Sequence, residues 1–285
     1  MKSFDQKVAA VTGAGSGMGR ELCIQLVQQG CSVAASDVNE AGLAETVTMA
    51  EAVCSNGARI TSKKLDVSDR ESVHAWADEV VADHGKVNLI FNNAGVAHGA
   101  TIESASYEDF EWIMGINFWG VVYGTKAFLP HLKASGEGHV INTSSVFGLI
   151  GVPTQGTYNA TKFAVRGFTE ALRQELDLQG SAVSATSVHP GGIKTNIANA
   201  ARFDDSASSI TGQSQEDSKR NFEKLFRTTA ADAAAVILKG VKKNSRRVLI
   251  GSDAYLIDTM QRILPSTYQR LLGSAAKRQK NKSRG

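Results

Sequence analysis

The chain alternates short runs of β-branched and apolar residues with longer segments of helical spacing, and this alternation constrains its fold most strongly. Seven runs are predicted strands, and they cover residues 8–12, 32–36, 59–65, 87–91, 140–143, 183–188 and 247–250. Apolar strands that repeat with helices between them are typical of a parallel sheet that is buried on both faces. Because crossover connections are right-handed, the helices should cover both sides of that sheet. The sequence therefore predicts the α/β class, as one doubly wound domain with a seven-stranded parallel sheet.

The composition is that of an ordinary globular protein. The 285 residues are 42% hydrophobic and 21% charged, which excludes a disordered chain, a collagen-like chain and a coiled coil for most of the length. The net charge of +3 comes from five cations in the last nine residues, which are Lys277, Arg278, Lys280, Lys282 and Arg284. The rest of the chain is mildly acidic, with 26 basic against 28 acidic residues, so no nucleic-acid-binding surface is expected.

Cysteine, histidine and hydropathy patterns bear on metal sites and location. Cys23, Cys31 and Cys54 form no CxxC pair, so neither a disulfide framework nor a zinc site is predicted and a reducing compartment is expected. The histidines show no metal-ligand spacing. No signal peptide precedes the first predicted strand, and no apolar run approaches the ~18 residues that a membrane span needs. These patterns favour a cytoplasmic protein without a metal.

Two segments depart from the alternating pattern. Residues 204–219 are polar and rich in serine, which predicts a mobile loop within a substrate loop of about residues 192–226. We expect a domain over residues 1–255 and, over 256–285, an amphipathic extension with a basic tail. The apolar residues of this end are Tyr255, Leu256, Met260, Ile263, Leu264, Tyr268, Leu271 and Leu272. Their face either lies on an anionic membrane surface or packs on the body of the protein or over its cleft.

A glycine-rich turn follows the first predicted strand. The sequence TGAGSGMG occupies residues 12–19, directly before a predicted helix. Glycines permit positive φ and let backbone N–H groups approach a pyrophosphate at a helix N-terminus. Asp37 ends the second predicted strand, where a carboxylate accepts hydrogen bonds from the ribose hydroxyls of NAD and repels a 2′-phosphate. Each feature alone also fits a structural role, as a tight turn or as a cap before the next helix.

The pattern with the most chemical content lies between residues 140 and 162. A predicted strand ends at Ser144 and Ser145, and Tyr158 and Lys162 follow, at the start of a helix predicted over residues 160–178. Tyr158 and Lys162 are four residues apart and share a helix face. An ammonium beside a phenol lowers a pKa that is normally ~10, which produces an acid/base able to work near neutral pH. A lone Tyr–Lys pair is more often a surface pair, but the glycine-rich turn and Asp37 favour the catalytic interpretation.

Together, these motifs resemble those of the classical NAD(P)-dependent group of short-chain dehydrogenase/reductases. TGAGSGMG, NNAG at 92–95, the asparagine of GINFWG, Ser145, YNATK at 158–162 and HPGGIKT at 189–195 occur in order. The resemblance covers about residues 6–195, with a weaker continuation to about 251. It implies one Rossmann-like domain with a seven-stranded sheet and helices on both faces. It also implies NAD as cofactor, with NADP as the alternative.

The resemblance implies a role for each matching residue. Tyr158 is the expected acid/base, Lys162 binds the nicotinamide ribose and lowers the Tyr158 pKa, and Ser145 hydrogen-bonds the substrate oxygen. Asn117 is expected to hold a water that links Lys162 to solvent. The expected cofactor-binding residues are Gly13, Ser16, Gly17, Met18, Gly19, Asp37, Asp66, Val67, Asn93, Ala94, Gly95, Tyr158, Lys162, Val188, Pro190, Gly191, Ile193 and Thr195.

The implied reaction is hydride transfer between NAD and a small-molecule secondary alcohol or ketone. The positions that face substrate in this family are mostly apolar here, which favours a hydrophobic substrate; they include Val96, Ala97, His98, Val146, Phe147, Leu149, Ile150, Val152, Ile197 and Phe203. Two alternatives stay open: an NADP-dependent reductase of a lipid or thioester-linked carbonyl, and a redox-sensing NAD-binding protein without turnover. A homodimer through helices near 117–135 and 158–178 is expected, with a tetramer as the alternative.

Overall fold

The computed structural model describes residues 1–195, 197, 201–212 and 228–282 and contains one seven-stranded sheet. Its strands are β1 (Val8–Thr12), β2 (Ser32–Asp37), β3 (Ile60–Lys64), β4 (Leu89–Asn92), β5 (Gly138–Thr143), β6 (Val183–Pro190) and β7 (Arg247–Ile250). Their order is β3-β2-β1-β4-β5-β6-β7, and every pairing is parallel. The predicted doubly wound, Rossmann-like fold is confirmed. Strand order reverses between β1 and β4, the point at which such sheets bind ligands.

Helices connect the strands and continue past the last one. They are α1 (Gly17–Gln28), α2 (Glu40–Glu51), α3 (Arg70–His84), α4 (Tyr107–Met114), α5 (Gly120–Ala134), α6 (Gly156–Leu178), α7 (Ser206–Thr211), α8 (Ala230–Lys242), α9 (Ser252–Ile263) and α10 (Thr267–Lys282). A π-helical turn, Gly115–Trp119, joins α4 to α5, and a 3₁₀ turn, Val146–Gly148, follows β5. Short parallel ladders pair His98–Gly99 with Arg202–Phe203 and Ile193–Lys194 with Thr228–Thr229.

Two apolar layers hold the helices against the sheet. Side chains of a strand alternate between faces, so Ala9 and Val11 of β1 belong to one layer and Val8 and Ala10 to the other. The first layer packs against α1 and α8, and the second against α3, α5 and α6. Burial on both faces explains why the strands are continuous apolar runs rather than alternating ones.

Three elements differ from the sequence prediction. Helix α6 begins at Gly156, four residues earlier than predicted, because the Asn159 N–H donates to the Gln155 carbonyl at 2.7 Å and closes a first turn that contains Tyr158. The spacing after the second strand predicts a helix from about Glu40 to Ser55, and that helix, α2, ends at Glu51. The polar stretch predicted as a loop contains α7, which the Asp204 carboxylate initiates by accepting from the Ser206 N–H at 2.8 Å. Residues 213–219 of that stretch lie outside the described residues.

The end of the chain forms two helices separated at Pro265. Helix α9 crosses position 255, so the division of the chain at that residue stays a proposal. None of the helices in the described part of the chain is long and apolar enough to cross a membrane.

Phe128 tests the second apolar layer. Its side chain is fully buried and lies edge-on to Trp76, with 5.2 Å between the ring centres. We expect Phe128→Ala to lower the free energy of unfolding by about 3–5 kcal/mol in urea titrations, since it removes buried contacts and leaves a cavity. Leu178→Ala on α6, where the side chain is exposed, is the control and should change it by less than ~0.5 kcal/mol. A loss below ~1 kcal/mol for Phe128→Ala would contradict the described core.

Candidate active site

The glycine-rich turn lies at the carboxyl edge of the sheet between β1 and α1. Gly13 and Gly17 adopt φ of +67° and +53°, which side chains other than glycine rarely tolerate. A Cβ at Gly19 would collide with the carbonyl oxygen of Gly13, so the helix passes directly over the turn. Ser16 caps α1 without a side-chain hydrogen bond, and no acidic residue occupies the first turn. The helix N-terminus therefore presents backbone donors suited to an anion.

Asp37 lies against this turn from the end of β2. Its Oδ2 accepts from the Gly15 N–H and its Oδ1 from the Asn39 N–H, both at 2.8 Å. Arg20 is the cation near the turn, but its guanidinium donates to the Gly15 carbonyl at 2.8 Å and pairs with Glu45 at 2.6 Å. Its positive charge is thus engaged on the α2 side of the turn.

Asn93 fixes the segment after β4 to the same turn. Its Nδ2 donates to the Thr12 carbonyl at 3.1 Å, and the Thr12 hydroxyl accepts from the N–H groups of Asn93 and Ala94, both at 3.0 Å. The Asn93 Oδ1 is buried and has no hydrogen-bond partner within the described part of the chain. Buried polar atoms are normally satisfied, so this oxygen marks a place for a ligand or water.

Asn117 lies in the π-helical turn and is fully buried. Its Oδ1 accepts from the Val96 N–H at 2.8 Å, and its Nδ2 donates to the Val96 carbonyl at 2.9 Å. Turns of this kind often occur at functional sites. Gly95 stands between Asn117 and Lys162, since a Cβ there would lie 3.1 Å from Asn117 Oδ1 and 3.5 Å from Lys162 Nζ.

Ser145, Tyr158 and Lys162 meet where β5 ends and α6 begins. The Ser145 hydroxyl is close enough to the Tyr158 phenol to lower the phenol pKa, and it accepts from the Phe147 N–H at 3.1 Å. The Lys162 Nζ lies 5.5 Å from the centre of the Tyr158 ring and donates to the Thr143 carbonyl at 3.0 Å. The Ser144 hydroxyl is occupied elsewhere, because it donates to the Lys162 backbone carbonyl at 2.7 Å. The geometry thus separates the two adjacent serines.

Burial dominates the protonation of this group. It raises the pKa of Tyr158 to about 12, against the opposing hydrogen bond from Ser145, and it lowers the pKa of Lys162 to about 8. The expectation that Lys162 lowers the Tyr158 pKa stays a prediction, because burial outweighs the lowering effects in the polypeptide alone. Both groups are desolvated, and the ammonium donates to Thr143 rather than to the phenol. Tyr158 is a neutral phenol at pH 7 in the structure as described.

The segment after β6 closes over the glycine-rich turn. The Gly191 N–H donates to the Ile250 carbonyl at 2.9 Å, and the Gly192 N–H donates to the Asp253 carboxylate at 2.7 Å. The Thr195 methyl group faces Gly17, where a Cβ would lie 3.0 Å from it. The sequence analysis did not predict a role for Asp253. The available signal was its position as an acid in the first turn of a helix that follows a strand.

Not every expected cofactor residue presents its side chain to this cleft. Met18, Val188 and Ile193 pack into the apolar layer of α1 and α8, because the adjacent elements turn those side chains inward. Asp66 accepts from the Ser68 N–H at 2.9 Å, and Val67 is buried against Gly120. Pro190 ends β6 at the same edge of the sheet as the other sites.

A buried histidine that sequence reasoning had set aside supports Ser145. His189 Nδ1 lies 3.0 Å from the Ser145 carbonyl oxygen, and its Nε2 lies 3.0 Å from the Ser187 hydroxyl. Burial lowers the pKa of His189 to about 4, so the ring is neutral and acts as a structural link. No cluster of three or more His, Cys, Asp or Glu suited to a metal ion occurs among the residues that the structure describes.

Asn117 offers a test of this geometry that is independent of activity. Asn117→Ala removes both partners of the Val96 backbone, so we expect the free energy of unfolding in urea to fall by about 1–3 kcal/mol. The control is Gln174→Ala, which removes an exposed amide that donates to the Glu170 carbonyl. If both variants unfold at the same urea concentration as the parent protein, the Asn117 contacts described here do not hold the segment.

Comparison with known proteins agrees with this geometry. The family model described as short chain dehydrogenase matches residues 7–206. SadH of Mycobacterium tuberculosis, which is named as an oxidoreductase, is 48% identical over 275 residues, covering 96% of each chain. The cyclohexanol dehydrogenase of Acinetobacter sp. is 34% identical over 195 residues, covering 68% of this chain and 76% of that protein.

Solved structures show the same fold. A short-chain dehydrogenase/reductase from Burkholderia phymatum, whose crystal structure is a complex with NAD, superposes with a TM-score of 0.82. It is 31% identical, and the superposition covers 92% of this chain and 95% of that one. The extent of the family match, the similarity to SadH and the shared architecture lead to one conclusion: the chain belongs to the short-chain dehydrogenase/reductase family of oxidoreductases.

Proposed function

We propose that this oxidoreductase transfers a hydride between NAD and a hydrophobic secondary alcohol or ketone. The observation that carries the proposal is the closeness of Ser145 and of the Lys162 ammonium to the Tyr158 phenol, at the carboxyl edge of the sheet. NAD in the complex of the Burkholderia protein and the name of the cyclohexanol dehydrogenase support it by analogy. The intact group of three argues against a redox sensor without turnover.

The described residues fit a nicotinamide dinucleotide. The donors at the start of α1 suit a pyrophosphate, and the Asp37 carboxylate is placed to accept from ribose hydroxyls. Gly95 lies close to Asn117 Oδ1 and Lys162 Nζ, and the unpartnered Asn93 Oδ1 belongs to a side chain that donates to the Thr12 carbonyl. When bound, the cofactor supplies the hydride acceptor at C4 of its ring and, in the oxidised form, a positive charge.

Ser145, Tyr158 and Lys162 have different roles in the proposed reaction. The Ser145 hydroxyl orients the substrate oxygen beside Tyr158. In oxidation, the C–H electron pair leaves the alcohol carbon as hydride while the hydroxyl proton passes to the Tyr158 phenolate. Lys162 favours this phenolate electrostatically when its amine carries a proton. In ketone reduction the same proton returns from the neutral phenol, which is the form that burial favours.

The surroundings of the catalytic group favour an apolar substrate. Val146, Leu149 and Ile150 of the loop after Ser145 are buried, and Phe147 lies edge-on to the Tyr158 ring with 6.0 Å between ring centres. The Asp37 carboxylate favours NAD over NADP, because the nearby Arg20 cation is paired with Glu45. This arrangement disfavours the alternative of an NADP-dependent reductase.

Assembly and location are further parts of the proposal. Trp119 and Phe163 are exposed on the π-helical turn and on α6, which suits a homodimer through the helices at 117–135 and 158–178.

We also propose that the protein is cytoplasmic. Tyr255, Leu256 and Leu271, which precede the basic tail in the sequence, are exposed and support peripheral contact with an anionic membrane, whereas buried Tyr268 supports attachment to the body.

Asp37 should set the choice of cofactor. We expect Asp37→Ser to shift the ratio of kcat/KM for NADP over NAD upward by at least about tenfold, because it removes a carboxylate that repels the 2′-phosphate. The change is measured from the absorbance of reduced nicotinamide with both cofactors. Asp78→Ser, which removes an exposed acid on α3, is the control. A parent protein that uses NADP as well as NAD would contradict the proposal.

Tyr158 should carry the proton transfer. Tyr158→Phe is expected to lower kcat by about 10²-fold or more while the Kd for NAD changes less than about threefold, since only the proton-transfer group is lost. Tyr107→Phe, at an exposed position of α4, is the matched control and should retain full activity. Oxidation by the parent protein should accelerate with rising pH as Tyr158 ionises. Near-normal kcat in Tyr158→Phe would refute the assignment.

A further inference from the structure

Helix α10 reaches the loop that connects Ser145 to α6. Tyr268 of α10 is only 6% exposed, and its hydroxyl oxygen accepts a hydrogen bond from the Gly151 N–H at 3.0 Å. Gly151 lies six residues after Ser145 and seven before Tyr158. The contact therefore joins the C-terminal end of the chain to the segment between the two proposed reacting hydroxyl groups.

The same loop is also held by Asn159, the neighbour of Tyr158 on α6. Its Oδ1 accepts from the Val152 N–H at 3.0 Å, and its Nδ2 donates to the carbonyls of Phe147 at 2.7 Å and Ile150 at 2.8 Å. The consecutive amides of Gly151 and Val152 are thus bound by two different helices. The loop is clamped between α6, which carries the phenol, and α10.

The loop held by these two helices carries a side chain that approaches the Tyr158 phenol. Phe147 belongs to the clamped loop, and its ring lies edge-on to that of Tyr158. Helix α10 also contacts α7, the short helix beyond β6, and α9 contacts the 3₁₀ turn after Ser145. The C-terminal helices therefore touch both the 3₁₀ turn next to Ser145 and the short helix beyond β6.

We propose that Tyr268 is a positioning residue that fixes the loop after Ser145, and that α10 forms a wall of the substrate cleft which discriminates bulky from small alcohols. The inference rests on the proposed function. Without the Tyr268 hydroxyl, the Gly151 N–H loses its partner, and the outer part of the loop moves away from the cleft. A small alcohol reaches Ser145 and Tyr158 regardless, whereas a bulky one loses its contacts with the loop. Such contacts are equal in the ground state and the transition state, so their loss raises KM and leaves kcat unchanged.

Tyr268→Phe tests the inference, because it keeps the buried ring and removes only the hydroxyl. The control is Tyr255→Phe on α9, where the tyrosine is exposed. KM and kcat are measured with NAD for cyclohexanol and for 4-tert-butylcyclohexanol. We expect KM for the bulky alcohol to rise about three- to tenfold in Tyr268→Phe, the loss of one hydrogen bond, with kcat for both alcohols within twofold of the parent. Tyr255→Phe should match the parent throughout.

Amide hydrogen exchange of residues 149–152 provides a readout without turnover. Exchange there should accelerate in Tyr268→Phe while the thermal midpoint and the exchange of the sheet stay unchanged. Unchanged KM and unchanged exchange would overturn the inference, as would equal losses for both alcohols together with a lower thermal midpoint. If the parent protein oxidises neither alcohol, the proposed function is contradicted, and the exchange result still decides whether Tyr268 holds the loop.

Discussion

The burial of an ammonium beside a phenol is the constraint on which this site depends. Lys162 and Tyr158 are both removed from water, which penalises the charged form of each and favours neutral phenol and neutral amine. The one hydrogen bond described for the Lys162 amine is to the Thr143 carbonyl at the end of β5. The polypeptide alone therefore favours a proton donor at Tyr158, whereas positive charge near the phenol favours the base. Protonated Lys162 and, when bound, a cofactor with a cationic ring would supply that charge.

A polar network beneath the site holds its parts in register. Asn92 of β4 donates to Asn142 of β5 at 2.8 Å, and Asn142 donates to Thr169 of α6 at 3.0 Å. Buried polar groups of this kind are costly when unpaired, so the network specifies how α6 sits on the sheet. Tyr158 and Lys162 are then positioned by α6, and Ser145 by β5. The positions of these three side chains therefore depend on a helix and on the end of a neighbouring strand.

The sequence predicted the sheet and the catalytic group because both depend on local pattern. Buried parallel strands are apolar runs, and the glycine-rich turn and YNATK have fixed spacing. The direction of each side chain was harder to predict from the sequence. Met18 and Ile193 match positions of the motifs, but their side chains pack into the core. Long-range contacts left no local signal, and so Asp253 and Tyr268 emerged only from the structure. The effect of burial on the Tyr158 pKa was also not accessible, because i,i+4 spacing specifies a shared face, not desolvation or the partner of the amine.

Ionisation of Tyr158 with and without NAD is the most direct test of this account. The signals of ¹³Cζ-labelled tyrosine report each of the five phenols, and the Tyr158→Phe variant identifies the one of interest. Without a ligand, Tyr158 should stay protonated to about pH 11, consistent with a pKa of about 12. With saturating oxidised NAD, its pKa should fall by more than about one unit, as an added nearby positive charge requires. A phenolate at pH 8 in the ligand-free protein, or an unchanged pKa on binding NAD, would contradict the account.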